Sequence, residues 1–307
     1  MKGVASGFVS LSERPCLRVG VVGAGRVGSV LGAALAAAGH RVTGVSAVSE
    51  ASRERAADLL PGVPIREVPE VVAGADLVLL AVPDDALEDL IAGLTRTKGW
   101  TPGQIVVHTS GRHGLAPFAP TDGLGLLPLA IHPAMTFSGT RTDLQRLTDA
   151  CFGVTTPESM RPVAEALVLE IGGEPVWIPE SARPIYHAAL AHGSNHLVTL
   201  VAQSLEILAS AGIEHGDRIL RPLLAASLEG ALSSGDAALT GPVARGDTGT
   251  VASHMEHLKG LSPDILAGYT AAARATAQRA ARAGRLRASV VDALLATLDP
   301  HDPDQEL

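Results

Sequence analysis

Two residue types are scarce in this 307-residue chain. Cysteine occurs only as Cys16 and Cys151, and lysine only as Lys2, Lys98 and Lys259, the other basic residues all being arginine. Two cysteines cannot build a disulfide scaffold, and both are expected to be reduced thiols in a cytoplasmic protein. No apolar run reaches the roughly 18 residues of a membrane helix. The opening segment carries Lys2 but no long apolar stretch of the secretory kind, and residues 1–16 are expected to form a flexible tail. A net charge of −8 argues against non-specific nucleic-acid binding, which needs a basic face. The expected partners are small molecules. What the chain does have is 46% hydrophobic residues, ample for real cores.

The first part alternates between two patterns. Strands are expected at 17–22, 41–46, 65–67, 77–82, 105–109, 126–132, 152–155 and 175–178. Helical periodicity appears between them at 50–60, 84–94 and 162–171. Such alternation implies right-handed crossovers and an α/β fold with a doubly wound parallel sheet. After Pro179 the strand signals stop. One long helical pattern covers 182–211 and ends at Gly212, and further helices are expected at 217–232, 248–258, 263–283 and 289–298. The reading is a dinucleotide-binding Rossmann domain over 17–180 and an all-α domain for substrate and dimerisation over 181–307. The arginines at 274, 279, 282, 285 and 287 read as a solvated helix face.

The most informative stretch is Gly23-Ala24-Gly25-Arg26-Val27-Gly28, set between an apolar strand and an Ala/Leu-rich helix. A G-x-G-x-x-G pattern gains weight when it opens a helix directly after a strand. Gly23 permits the tight turn, Gly25 leaves room for a pyrophosphate, and Gly28, with Gly32 one turn later, lets helix and strand approach closely. The helix N-terminus offers free N–H groups to the phosphates.

A second absence selects the dinucleotide. An acidic residue at the end of the second strand would take the ribose 2′-OH of NAD, and none stands there. Ser46 and Ser49 offer hydroxyls, with Arg53 and Arg55 following. A 2′-phosphate would meet donors and cations, so NADP(H) is the expected cofactor. Glu50 is the one acid nearby.

Ligands of open α/β sheets lie beyond the carboxyl ends of the strands. Val82–Pro83 is placed to shape the ribose and nicotinamide end of the cofactor. Thr109 and Ser110 offer hydroxyls and backbone N–H groups. His108 reads as a core histidine, and His132 reads equally as core or site. Further on, His187, Ala191 and Asn195 are spaced to share a helix face. His192 and His196 share another, without the third ligand of a zinc site, so no metal is expected. Thr240, Arg245 and Asp247 form a tight polar loop in which Arg245 suits a carboxylate. Asp247 would equally serve as an N-cap.

These motifs resemble a known family. The glycine turn, His108-Thr109-Ser110-Gly111, His132-Pro133, the stretch 186–195 and the loop 239–247 are similar to Rossmann-like proteins with a helical DUF2520 domain. That family is related to ketopantoate reductase, pyrroline-5-carboxylate reductase and 6-phosphogluconate dehydrogenase. The resemblance implies an NADP-dependent oxidoreductase, of ketopantoate reductase type in pantothenate biosynthesis, or an imine or F420-dependent enzyme. The rival from another class is a non-catalytic NADP(H)-binding sensor. Better-known relatives carry a catalytic lysine on the long helix, with asparagines four and eight residues later. At that spacing this chain has His187, Ala191 and Asn195, and none of its three lysines falls there. The resemblance therefore makes His187 the proton donor, with Asn195, Ser110 and His132 completing the catalytic set. Arg245, Asp247 and Thr240 become the contacts for a carboxylate substrate. The small side chains of the helix 265–283, together with the habit of related enzymes, imply a homodimer.

Overall fold

The computed structural model describes residues 15–299; the flexible tail expected over 1–16 falls almost wholly outside them. Seven strands form one sheet in the order β2-β1-β3-β4-β5-β6-β7. They are β1 (Arg18–Val22), β2 (Arg41–Ser46), β3 (Leu77–Leu80), β4 (Ile105–His108), β5 (Leu127–Pro133), β6 (Cys151–Thr155) and β7 (Glu174–Trp177). Strands β1 to β4 are parallel; β1, β3 and β4 are mostly apolar and buried, the pattern of a sheet covered on both faces, and the edge strand β2 is half buried. Helices α1 (Arg26–Ala37), α2 (Glu50–Leu59), α3 (Val68–Ala73) and α4 (Asp84–Arg96) connect them. Two apolar cores result. Val30, Leu31 and Leu35 of α1 join Leu129, Ile131 and Phe152 in one, and Leu87, Ile91 and Leu94 of α4 join Val78, Leu80 and Val106 in the other.

Three sequence expectations are corrected. The sheet is not wholly parallel, because β5 pairs antiparallel with β6, His132 opposite Gly153. The connection between them holds the short α5 (Thr142–Arg146) and one 3-10 turn (Leu147–Asp149); α5 packs beside α1, and no full crossover helix forms. The strand expected at 65–67 shrinks to a single bridge, Val45 to Ile65; Glu67 and Glu70 form a capping box that turns the next residues into α3. The helix expected over 182–211 is interrupted. After α6 (Arg161–Glu170) and β7 come α7 (Arg183–Leu190), a π-helical turn at Ala191–Asn195 and α8 (His196–Ser210). The π turn falls on the residues whose spacing had been counted as purely α-helical.

The chain forms two compact units, Met1–Ser194 and Asn195–Leu307. The division comes after α7, later than the change in sequence pattern near 180, because α7 is anchored to the sheet. The second unit is all helical: α8, α9 (Gly216–Ser234), α10 (Gly241–Arg245), α11 (Thr248–Leu258), α12 (Pro263–Arg282) and α13 (Ala288–Thr297). Its core gathers Val243, Val251, Met255, Ala273, Ala277, Leu294 and Leu298. Among the described residues no helix is long and apolar enough to cross a membrane.

Candidate functional site

The carboxyl ends of β1, β3, β4 and β5 share one edge of the sheet, since the four strands are mutually parallel. The glycine turn stands at this edge. Gly23 has φ +98, and a Cβ there would lie 2.5 Å from the Ala81 carbonyl oxygen. Gly28 is tighter still, with a Cβ position 2.0 Å from the Gly23 oxygen. Gly25 is the opposite case: nothing lies within 4 Å of its Cβ position. It is the N-cap of α1 and supplies no capping side chain, so the first-turn N–H groups of α1 are left for a ligand. Open space above uncapped amides fits a pyrophosphate. Ala24 is buried, Val27 half-buried and Arg26 exposed.

Ser46 closes the turn from β2. Its Oγ accepts from the Gly23 N–H at 3.0 Å, and its carbonyl accepts from the Ala24 N–H at 2.8 Å. Ser49 caps α2, its Oγ accepting from the Ser52 N–H at 3.2 Å. Both hydroxyls keep their own proton to donate. Arg53 lies at the surface, 3.7 Å from Glu50. Val82 is half-buried and Pro83 exposed at the start of α4, beside half-buried Thr109.

His108 is a core residue. It is fully buried; its Nδ1 accepts from the Ser110 N–H at 3.2 Å and its Nε2 donates to the Gly114 carbonyl at 2.7 Å. Burial lowers its pKa from 6.5 to about 4, which keeps the ring neutral. Ser110 is buried as well, and its Oγ accepts from the His113 N–H at 3.2 Å.

Beyond β5 the picture changes. The Nδ1 of His132 meets the Tyr186 hydroxyl at 2.9 Å, and the His187 ring stands edge-on to it with centroids 5.9 Å apart. Both imidazoles rest on backbone. A Cβ on Gly111 would lie 2.5 Å from His187 Cδ2 and 3.0 Å from His132 Nε2. A Cβ on Gly153 would likewise lie 2.5 Å from the Tyr186 hydroxyl.

Under this cluster sits Arg183, the first residue of α7, 1% exposed. Its Nε donates to Thr155 Oγ1 at 2.7 Å, one terminal nitrogen to Ser110 O at 3.3 Å, and the other to Ala130 O and Gly153 O at 2.8 and 2.9 Å. Every acceptor is neutral. Burial lowers the Arg183 pKa to about 10, which leaves it charged. His132 feels that charge: burial first, then Arg183 and His187, lower its pKa to about 4. Burial raises that of Tyr186. The sequence singled out His132, Ser110 and His187, and the fold brings them together. It missed Arg183 and Tyr186. Their partners lie 28 to 73 residues away, so no local spacing announces them.

The remaining residues belong to the second unit. Asn195 ends the π turn and is exposed. Thr240 precedes α10, and Arg245 ends it with an exposed side chain. Asp247 is an N-cap: its carboxylate accepts from the Thr250 N–H at 3.0 Å and hydroxyl at 2.7 Å. Those bonds hold its pKa below the ordinary carboxylate range.

Family models match two parts of the chain, a Rossmann-like domain over residues 7–133 and a domain of unknown function, DUF2520, over residues 150–276. The chain carries a Rossmann-like domain followed by a DUF2520 domain. The Rossmann-like match ends one residue past His132, while Tyr186, His187 and Arg183 fall in the DUF2520 match, so the cluster is shared by both. Solved structures agree in fold. The putative NADP oxidoreductase of Bacteroides fragilis is 20% identical with a TM-score of 0.74, covering 88% of this chain and 100% of its own. An imine reductase from Pseudomonas sp. gives 19% and 0.56, covering 92% of each chain. The pyrroline carboxylate reductase of Plasmodium falciparum, with NADP bound, gives 12% and 0.53, covering 92% and 98%. A comparison with curated proteins finds no match.

Proposed function

We propose that this chain is an NADP(H)-dependent reductase of a small molecule carrying a C=O or C=N group. The observation that carries the reading is one sheet edge with two features: an open, uncapped helix start at Gly25 and, at the end of β5, a cluster of Arg183, His132, Tyr186 and His187. The fold likeness supports it, since the structures named above include an NADP oxidoreductase, an imine reductase and a pyrroline carboxylate reductase. The α1 amides would hold the pyrophosphate, and Val82, Pro83 and Thr109 would line the far end. When bound, the cofactor supplies the hydride equivalent.

The chain's own residues manage the proton. His132 is neutral at pH 7 and bonded to Tyr186, which suits it to fix the geometry of the site. His187 beside it is the proposed donor to the developing oxyanion or amide nitrogen. Ser110 and Asn195 are the proposed orienting groups.

The finer reading is a small 2-oxo acid of the ketopantoate type, with Arg245, Thr240 and Asp247 as carboxylate contacts. The second reading is a cyclic imine, favoured by the names of two of the three structures above. A panel of 2-oxo acids and cyclic imines, with NADPH oxidation followed, tests both. Turnover on 2-oxo acids alone supports the first, and on imines alone the second. His187→Ala should lower turnover roughly 10²–10⁴-fold with nucleotide binding intact. Arg245→Ala should raise KM more than it lowers kcat. No NADPH binding and no turnover would remove the reading altogether.

A further inference from the structure

The segment after β5 runs past the start of α1 and is fastened along its length. Its Ala134 N–H bonds the Cys151 carbonyl at 2.9 Å, and Phe137 is buried in the core. Asp143 is completely buried, and its carboxylate accepts from the Ser138 hydroxyl at 2.9 Å and the Gly139 N–H at 2.8 Å. Arg141 bonds both the side chain and the carbonyl of Asp58 on α2. At its centre Gly139 is pressed against two arginines: a Cβ there would lie 2.8 Å from Arg55 Cδ and 3.0 Å from Arg26 Cγ.

Arg26 opens α1 and Arg55 lies on the second turn of α2, so two different elements deliver guanidinium stems to one place. Arg55 Nη1 reaches the Ala24 carbonyl at 3.4 Å. Among the described residues neither arginine has a carboxylate partner. Arg53 does: it faces Glu50, both largely exposed. Two arginine stems that meet beside the glycine turn, neither guanidinium facing a carboxylate among the described residues, suit an anion.

We propose that segment 134–141 is a strap that sets Arg26 and Arg55 against the adenosine end of the nucleotide, where they bind its 2′-phosphate, and that Arg53 instead neutralises Glu50. The inference rests on the NADP(H) reading above. It names Asp143 as a positioning residue, which acts through Gly139, and it explains how a β2 end without an acid selects a phosphate. The end of β2 is stitched to the glycine turn by Ser46, and Arg55 reaches the same turn at the Ala24 carbonyl.

The test is calorimetric titration with NADPH, NADH, 2′,5′-ADP and 5′-AMP, each variant checked for an intact melting transition. Arg55→Ala and Arg26→Ala should each weaken NADPH and 2′,5′-ADP by about tenfold or more, the scale of a charge-assisted contact, and leave NADH and 5′-AMP unchanged. Arg53→Ala should change none of them. Asp143→Asn should weaken the phosphate ligands less than either arginine variant and spare NADH. Equal weakening of NADPH and NADH would assign the arginines to the pyrophosphate and overturn the proposal. An effect confined to Arg53→Ala would overturn it as well. If wild type binds NADPH while the arginine variants match it, the strap reading alone fails. If wild type binds neither nucleotide, the cofactor reading fails with it.

Discussion

Replacing Arg183 should move the titration of His132 in a predictable direction. The side chain is 1% exposed and gives all its hydrogen bonds to neutral oxygens, so its charge is felt by whatever ionises nearby. His132 lies 5.6 Å from the Tyr186 ring, and the Arg183 guanidinium lies 5.9 Å from the same ring. The two charges are therefore within about 12 Å. At an effective dielectric of about 20, a unit charge at that distance contributes roughly 1.4 kcal/mol, or about one pKa unit. Arg183→Met should raise the His132 pKa from about 4 by roughly that amount, still short of 6.5 because burial and His187 persist. Arg183→Lys keeps the charge and should hold the value low. The stability change is a separate quantity. The methionine leaves the Ala130, Gly153 and Ser110 carbonyls short of a donor, at about 1–3 kcal/mol for each that finds no substitute. Removing a buried charge offsets part of this, so a net loss of about 2–4 kcal/mol is expected. Titration of the imidazole proton shifts by NMR, at a temperature where all three proteins are folded, decides the matter. A His132 pKa unmoved in Arg183→Met would refute the electrostatic account.

His108 and His132 both have folded pKa values of about 4 against an ordinary 6.5. A depressed histidine pKa stabilises the fold above the unfolded value, and that stability is lost as pH falls from 6.5 towards 4. The unfolding free energy contributed by these rings should be flat above pH 7 and fall below 6.5, with a slope of up to about 1.4 kcal/mol per pH unit for each ring, and the melting temperature should follow it. His108→Asn should lessen that slope. Asp247→Ala removes the cap of α11 and should lower the midpoint of chemical denaturation. A carboxylate-binding role predicts in addition a raised KM in the folded enzyme. Asp143→Ala strands the buried Gly139 N–H, and should lower stability by about 1–3 kcal/mol.

The glycine turn, β1 to β4 and the helices α1, α2 and α4 were legible because each is specified locally. Apolar strands, a G-x-G-x-x-G turn and helical periodicity announce themselves within a few residues. His132 and His187 were visible as chemistry, but their meeting over Gly111 was not, since 55 residues separate them. Arg183 was hidden for a sharper reason. An arginine opening a helix is ordinarily a solvated residue, and only the antiparallel return of β6 places the Thr155 hydroxyl and the Gly153 carbonyl around it. That reversal was itself illegible, because strand spacing says nothing of direction. The strap 134–141 has no regular period, and the contacts that order it, among them the buried Asp143 carboxylate and the Arg141–Asp58 bonds, follow from the fold.

Close backbone approach makes the mutational map of this edge uneven in an unusual way. At Gly28, Gly111, Gly139 and Gly153 an added methyl would lie 2.0 to 2.8 Å from its nearest neighbour, so alanine at any of them must displace a turn, an imidazole, an arginine or a tyrosine. Gly25, in the same turn as Gly28, meets nothing. A saturation library screened twice, once for soluble protein and once for nucleotide retention, would separate them. Gly28→Ala should be depleted in both screens, whereas Gly25→Ala should pass the first and fail the second, marking by its tolerance the patch of surface reserved for a ligand.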